Sequence, residues 1–237
     1  MRRSDSSPSR RSSRFCGTAS TSSRLACRSS STVYAIGSLS VQDDLGTNRD
    51  RLRWNERYAS GAYAEPFTVR PLAEQAIALP MPAGPALDLA AGPSGSALLL
   101  AARGRHVTAV DVSDVALDLL RTEAQRRGVA ELITCVHADL LSWRPAVGRV
   151  YALVLCTGYF DRAVFTVAAG AVAAGGLLGW EAFTLAARRD RPRLPAEWCL
   201  RPGEPASLLP SGFEVISQDD VGEQPAARRG LLARRRL

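Results

Sequence analysis

The 237 residues contain no lysine: all thirty basic side chains are arginine. Alanine is abundant, so the bias is read as GC-rich coding rather than a binding requirement. Histidine occurs only twice. The five cysteines, Cys16, Cys27, Cys135, Cys156 and Cys199, show no CxxC or Cys/His ligand spacing. That absence argues against a zinc site and against a disulfide framework, and the expectation is no metal and reduced thiols. No apolar stretch follows the first charges, which speaks against a secretory signal. Nor is there a clean membrane-length apolar run. Ala163 to Trp180 comes nearest, but it is alanine-rich and interrupted by Gly175-Gly176. A helix ending at that pair, then a buried strand, accounts for it better than a membrane span. No internal repeat is visible.

What is present is 46% hydrophobic composition, enough for one sizeable core. The formal charge of +7 is unevenly placed. Residues 1–40 hold seven arginines against the single acid Asp5, leaving the remainder close to neutral. Nucleic acid is therefore not the expected partner. The same forty residues are rich in Ser and Thr and poor in large apolar groups, a composition unable to fold alone. Arg-rich, Ser-rich and acid-poor is the pattern of an organelle transit peptide, with Val33-Tyr34-Ala35 as the processing site. Hydroxyl residues outnumber arginine, which places chloroplast ahead of mitochondrion; the alternative is a retained, disordered basic arm.

The rest divides into an N-terminal lid or helical segment, 41–83, and a domain over 84–237. From residue 84 the apolar period alternates between strand and helix, the mark of βαβ units around a mainly parallel sheet. Strands are expected at Pro85–Leu89, His106–Val110, Leu132–Val136, Val150–Cys156 and Leu177–Thr184. Ser94 or Ser96 can cap a helix ending before Gly104. Ser113 can cap Asp114–Arg127, with Val115/Leu119 and Leu117/Leu120/Ala124 as its apolar face and Glu123/Arg127 as an i,i+4 pair. A further helix is expected over 161–174, and 188–205 as a long loop. Gly212–Ser217 and Ala227–Leu237 follow without a helix between them, which suggests an antiparallel hairpin closing a parallel sheet.

The turn Leu87-Asp-Leu-Ala-Ala-Gly-Pro-Ser-Gly between the first strand and its helix is shaped for close approach of a ligand to backbone N–H groups. Asp111 ends the second strand, where a carboxylate can accept both hydrogen bonds of a ribose diol. Two nucleoside ligands fit. Ala90-x-Gly92-x-x-Gly95 is a degraded dinucleotide fingerprint, pointing to an NAD(P)-dependent oxidoreductase. Asp88-x-Ala90-x-Gly92-x-Ser94 is the acidic glycine loop of S-adenosylmethionine enzymes with two glycines replaced. Asp88 decides: an acid beside two phosphates is unfavourable, whereas it can serve the ammonium of a methionine moiety. Asp139, past the third strand, can meet an adenine amino group. Three acids at successive strand ends suit a cationic, phosphate-free nucleoside.

With those residues in hand, the chain from Trp54 onward resembles the class I S-adenosylmethionine-dependent methyltransferases, in particular their tellurite-resistance-type small-molecule branch. The resemblance is carried by Trp54-Asn-Glu-Arg-Tyr58, Leu87–Ala101, Val110-Asp-Val-Ser113, Ala138-Asp139, Tyr159-Phe-Asp-Arg162, Gly175–Thr184 and Leu200-Arg-Pro-Gly-Glu204. It implies a Rossmann-like α/β fold: a seven-stranded, mainly parallel sheet with an antiparallel last strand and helices on both faces. It implies S-adenosyl-L-methionine as cofactor. Asp88, Ala90 and Gly92 would line its methionine end. Asp111 would hold the ribose, with Val112 also at the cofactor, and Asp139 with Leu140 the adenine. Cys156 and Thr157, just past strand four, would face the transferred methyl. Arg57 and Tyr58 would lie over the cofactor as part of a lid, Arg57 meeting its carboxylate.

Two departures stand out: Ala90 is tolerable if its φ is negative, and a β-carbon at Ser94 could crowd the ligand unless Gly95 shifts the turn by one residue. No catalytic nucleophile is named. His106 and His137 are read as structural, and Cys156 as a small residue of the pocket wall. The expected partner is a small-molecule methyl acceptor, with no membrane and a monomer or weak dimer. A non-catalytic, methyltransferase-like interaction protein is the remaining alternative.

Overall fold

The computed structural model describes residues 45–61, 66–221 and 227–237. The expected transit peptide and its processing site lie outside the described residues.

Seven strands form one sheet: β1 (Ala86–Leu89), β2 (Val107–Asp111), β3 (Ile133–His137), β4 (Tyr151–Thr157), β5 (Val172–Phe183), β6 (Phe213–Val221) and β7 (Arg228–Arg235). Their order is β3-β2-β1-β4-β5-β7-β6. The first five pair in parallel, while β7 runs antiparallel to both β5 and β6. The order explains the composition. β1 and β4 are central and covered on both faces, so β1 is buried throughout and β4 at all but Thr157. On one face Leu87, Leu89, Val154, Leu178 and Trp180 pack against Val164, Phe165 and Ala168 of α5 (Arg162–Gly170). On the other, Ala86, Leu153, Leu155 and Leu177 meet Leu72, Ala73 and Ala76 of α2 (Pro71–Ala78) and Leu98 of α3 (Gly95–Ala102). Each fully buried leucine contributes roughly 1.5–3 kcal/mol by leaving water.

Helix starts follow the side-chain chemistry. Ser94, Ser113 and Asp161 accept backbone N–H groups at the N-termini of α3, α4 (Asp114–Arg126) and α5. Each such cap contributes about 1 kcal/mol. Gly104 and Gly128, at φ 77° and 70°, turn the chain away behind α3 and α4. The expected Glu123–Arg127 pair forms at 2.7 Å. The buried stripe of α4 is Ala116, Leu117, Leu120 and Ala124, whereas Leu119 is exposed.

Three expectations are corrected. The helix over 161–174 stops at Gly170, and β5 begins at Val172, before the glycine pair rather than after it. Tyr151 N–H donates to Ala171 O, so pairing with β4 captures the chain there. Gly175, at φ 72°, then bends the strand from within. The stretch 188–205 is not a simple loop: short 3₁₀ turns occupy Leu185–Arg189 and Ala196–Trp198, and Cys199, Leu200 and Glu204 are buried. The closing hairpin exists, but β6 extends to Val221, so its turn is shorter than expected. Among the described residues no helix is long and apolar enough to cross a membrane.

Candidate active site at the carboxyl ends of the strands

Because β1, β2 and β3 are parallel neighbours, Asp88, Asp111 and Asp139 come together at or just beyond one edge of the sheet. Brought together with them are Ala90, Gly92 and Val112 from the turns after β1 and β2. Leu140 is buried beside Leu87 and Trp143, under the loop that Asp139 opens. A shallow cleft lined by Arg103, Arg105, His106 and Arg149 sits at the opposite end of the strands, and its described lining holds no carboxylate.

Each acid has a definite task. Asp88 is buried and accepts a hydrogen bond from the Ser94 hydroxyl at 2.5 Å, while that hydroxyl accepts Ala97 N–H at 2.9 Å. Burial pushes the Asp88 carboxyl up to about 7; the Ser94 hydrogen bond opposes this and the Asp111 charge adds to it. Asp111 is also buried, with Oδ2 accepting Gly92 N–H at 2.8 Å and Oδ1 accepting Ser113 N–H at 2.7 Å. Burial raises its pKa against those backbone bonds. Asp139 is half-buried, accepting Leu141 N–H at 2.9 Å and the Asn48 amide at 2.8 Å. His137 Nε2 donates to Val112 O at 3.0 Å, which makes it a brace between neighbouring turns.

The turn itself corrects two expectations. Ala90 adopts φ 48°, so the alanine is not in the negative-φ conformation that would make it costless. Ser94 does not crowd the ligand side: at φ −72° it caps α3 with its side chain folded inward onto Asp88. Gly95 does not shift the turn. A Cβ there would lie 2.2 Å from Phe67 O and 2.6 Å from the Thr68 carbonyl carbon, so its bareness admits the backbone of 67–68. Gly92, at φ 58°, has the Tyr58 hydroxyl 2.8 Å from where a Cβ would stand.

The segment expected as a lid holds α1 (Arg49–Ala59), whose anchoring residues lie outside those expected from the sequence. Asn48 caps it and reaches Asp139. Arg51 grips Asp114 with both guanidinium arms, at 2.7 and 3.0 Å, drawing that carboxyl well below the usual range. Asn55 donates to Asp114 at 2.8 Å and accepts from the Ser113 hydroxyl at 2.6 Å. The i, i+3, i+7 spacing of Asn48, Arg51 and Asn55 was the available signal. Tyr58 stacks on Trp54 and stands over Gly92. Arg57 lies over Trp54 at 5.4 Å, and Arg53 lies near both Trp54 and Trp198.

Cys156 is the penultimate residue of β4, not just past it, and is completely buried in the core. Burial first, then the Asp88 charge, pushes its thiol well above the ordinary value. Only Thr157 reaches the edge of the strand. Two segments that carried the family resemblance are joined by an ion pair: Arg162 holds Glu204 at 3.0 and 2.6 Å. Burial would raise the Glu204 carboxyl, but this guanidinium and Arg201 N–H bring it down. Among the described residues no cluster of His, Cys, Asp or Glu is arranged to hold a metal.

Comparison with known proteins agrees with this geometry. Residues 86–176 match the family model described as Methyltransferase domain. The release factor glutamine methyltransferase of Chlorobaculum tepidum is 32% identical over 149 residues, covering 61% of this chain; the chain spans 42% of that relative's length. TehB from Haemophilus influenzae superposes with a TM-score of 0.56 at 16% identity, over 77% of this chain and 67% of the other. The glycopeptide N-methyltransferase MtfA, complexed with S-adenosyl-L-methionine, gives 0.51 at 20% identity, over 72% of this chain and 94% of the other. Residues 86–176 are therefore similar to a methyltransferase domain, and the sheet has the Rossmann-like fold of the methyltransferases on which it superposes.

Proposed function

We propose that this protein transfers a methyl group from S-adenosyl-L-methionine to a small-molecule acceptor. The observation that carries the reading is the placement of Asp88, Asp111 and Asp139 at or just beyond the ends of three adjacent parallel strands, with Asp111 tied to the turn at Gly92. A row of acids favours a sulfonium nucleoside and disfavours a diphosphate one. The residues present fit the cofactor. Gly92 lets a ligand approach the backbone, Asp111 retains lone pairs for a ribose diol, and Asp139 with Leu140 borders a place for adenine. Asp88 supports the turn through Ser94 and sets the negative field under the methionine end. Tyr58, held by α1, covers the turn.

The bound sulfonium supplies an activated methyl group. The chain's part is to hold donor and acceptor in line and to exclude water, where orientation alone can supply several kcal/mol. A buried thiol at Cys156 takes no part as a nucleophile, so no covalent step is assigned.

We further propose an acceptor of the type handled by the tellurite-resistance branch, import into the chloroplast or else the mitochondrion, and a monomer or weak dimer. The mature N-terminus recovered from purified organelles tests import. Isothermal titration of the full chain with S-adenosylhomocysteine tests the function: saturable heat is expected. Heat with NADH instead would favour an oxidoreductase, and heat with neither a non-catalytic protein.

A further inference from the structure

Beyond the acids, the same strand edge ends in a basic cluster that the proposed cofactor residues do not use. Glu181 and Phe183 alternate along β5 and share the face covered by α2. Glu181 is buried and lies in register with Thr157, the last residue of β4. Phe183 lies in register with Arg228, the first residue of β7. Glu181 Oε1 approaches Arg228 Nε to 2.7 Å, but off the N–H direction. Arg228 Nε and Nη2 are both buried without a hydrogen-bond acceptor among the described residues. Arg228 and Arg191 lie 4.7 and 4.6 Å from the Phe183 ring centre. Arg70, at the N-terminus of α2, adds a third positive charge whose field reaches Arg228.

Arg228 Nη2 is thus a buried donor without an acceptor, beside a 2.7 Å ion pair and near the positive charges of Arg191 and Arg70. Buried donors are ordinarily paired, and a guanidinium fork matches a carboxylate or similar oxyanion. Arg228 Nη2 is 3.5 Å from where a Cβ of Gly158 would stand, and Gly158 follows Thr157 directly. β4 is in turn the neighbour of β1, whose turn carries Asp88 and Gly92.

We propose that Arg228, seated on Glu181, receives an anionic group of the methyl acceptor, so that the acceptor is a small carboxylate or comparable oxyanion. The assignment rests on the methyltransferase reading. Glu181 holds the guanidinium in place and competes with the incoming anion.

The test is titration of the full chain with benzoate, and with benzamide as its neutral match, at constant ionic strength, with and without S-adenosylhomocysteine. Benzoate is expected to bind at least roughly tenfold more tightly than benzamide, the loss that follows from removing a charge-assisted hydrogen bond. Glu181→Gln is expected to tighten benzoate, the opposite of what a purely structural pair would give. Removing both charges together in Glu181→Gln/Arg228→Gln avoids a lone buried charge. That variant is expected to lose benzoate preference while keeping its circular dichroism and S-adenosylhomocysteine affinity. Equal binding of benzoate and benzamide, or a preference that survives in the double variant, overturns the proposal. If S-adenosylhomocysteine does not bind while benzoate still depends on Arg228, the anion site stands and its assignment to a methyl acceptor falls.

Discussion

Asp111 Oδ2 and Gly92 N–H are joined by a 2.8 Å hydrogen bond that ties the tip of β2 to the turn after β1. With Ser113 N–H on its other oxygen, this one buried carboxylate fixes both turns that border the proposed ribose position. Asp111→Ala leaves two buried N–H groups without acceptors, each costing about 1–3 kcal/mol. The expected outcome is a stability loss of ~2 kcal/mol or more in urea unfolding, together with at least a tenfold loss of S-adenosylhomocysteine affinity. Asp111→Asn keeps one acceptor oxygen and is expected to lose less of both.

The buried Asp88 makes stability depend on pH. Its carboxyl is raised from 3.8 to about 7, so between those values the folded state binds the extra proton. Stability from this group is present below about pH 4 and is lost as pH rises toward 7, by an amount on the order of 4 kcal/mol at most. Asp88→Asn removes the titration. Urea unfolding from pH 4 to 8 is expected to show a downward slope in the natural sequence that becomes shallower in the variant, the remainder coming from the raised carboxyl of Asp111.

Two small residues of the turn are expected to respond in opposite directions. Gly95→Ala places a methyl 2.2 Å from Phe67 O, which the backbone must move to accommodate. Its cost is about 2 kcal/mol or more. Ala90→Gly relieves a left-handed alanine worth roughly 1–2 kcal/mol, against about 0.5–1 kcal/mol of added chain entropy. Thermal unfolding is expected to show the first variant destabilised and the second unchanged or slightly stabilised.

Docking of α1 depends on Asp114, which takes both arms of Arg51 and the Asn55 amide. Asp114→Ala is expected to speed hydrogen exchange across 49–59 and weaken S-adenosylhomocysteine severalfold, while exchange in β1 and β4 stays protected. Unchanged exchange in α1 would remove Asp114 as its anchor.

The strands and two of the helix caps were legible because they depend on local pattern: buried runs such as 151–156, and Ser94 and Ser113 before helical segments. The end of α5 was not. Its alanine-rich sequence continues smoothly past Gly170, and only the pairing of Tyr151 with Ala171 turns the chain into β5. The conformation of Ala90 was hidden for a similar reason: alanine disfavours positive φ, and the tertiary tie through Asp111 and Gly92 overrides that preference. Asp88, Asp111 and Asp139 could be placed at strand ends from sequence, but the long-range partners of the acids could not. Asp139 with Asn48, Asp114 with Arg51 and Glu204 with Arg162 are joined across long stretches of chain; the spacing of Asn48, Arg51 and Asn55 marks one face of a helix but not the acids it meets.

A crystal structure of the full chain with S-adenosylhomocysteine tests whether the acid-edged turns hold the cofactor. The ribose hydroxyls are expected on Asp111, the adenine beside Asp139 and Leu140, and the amino-acid end at the Ala90–Gly92 turn. Ligand bound elsewhere, or none at saturating concentration with the Asp88–Ser94 and Asp111–Gly92 bonds intact, would contradict that placement.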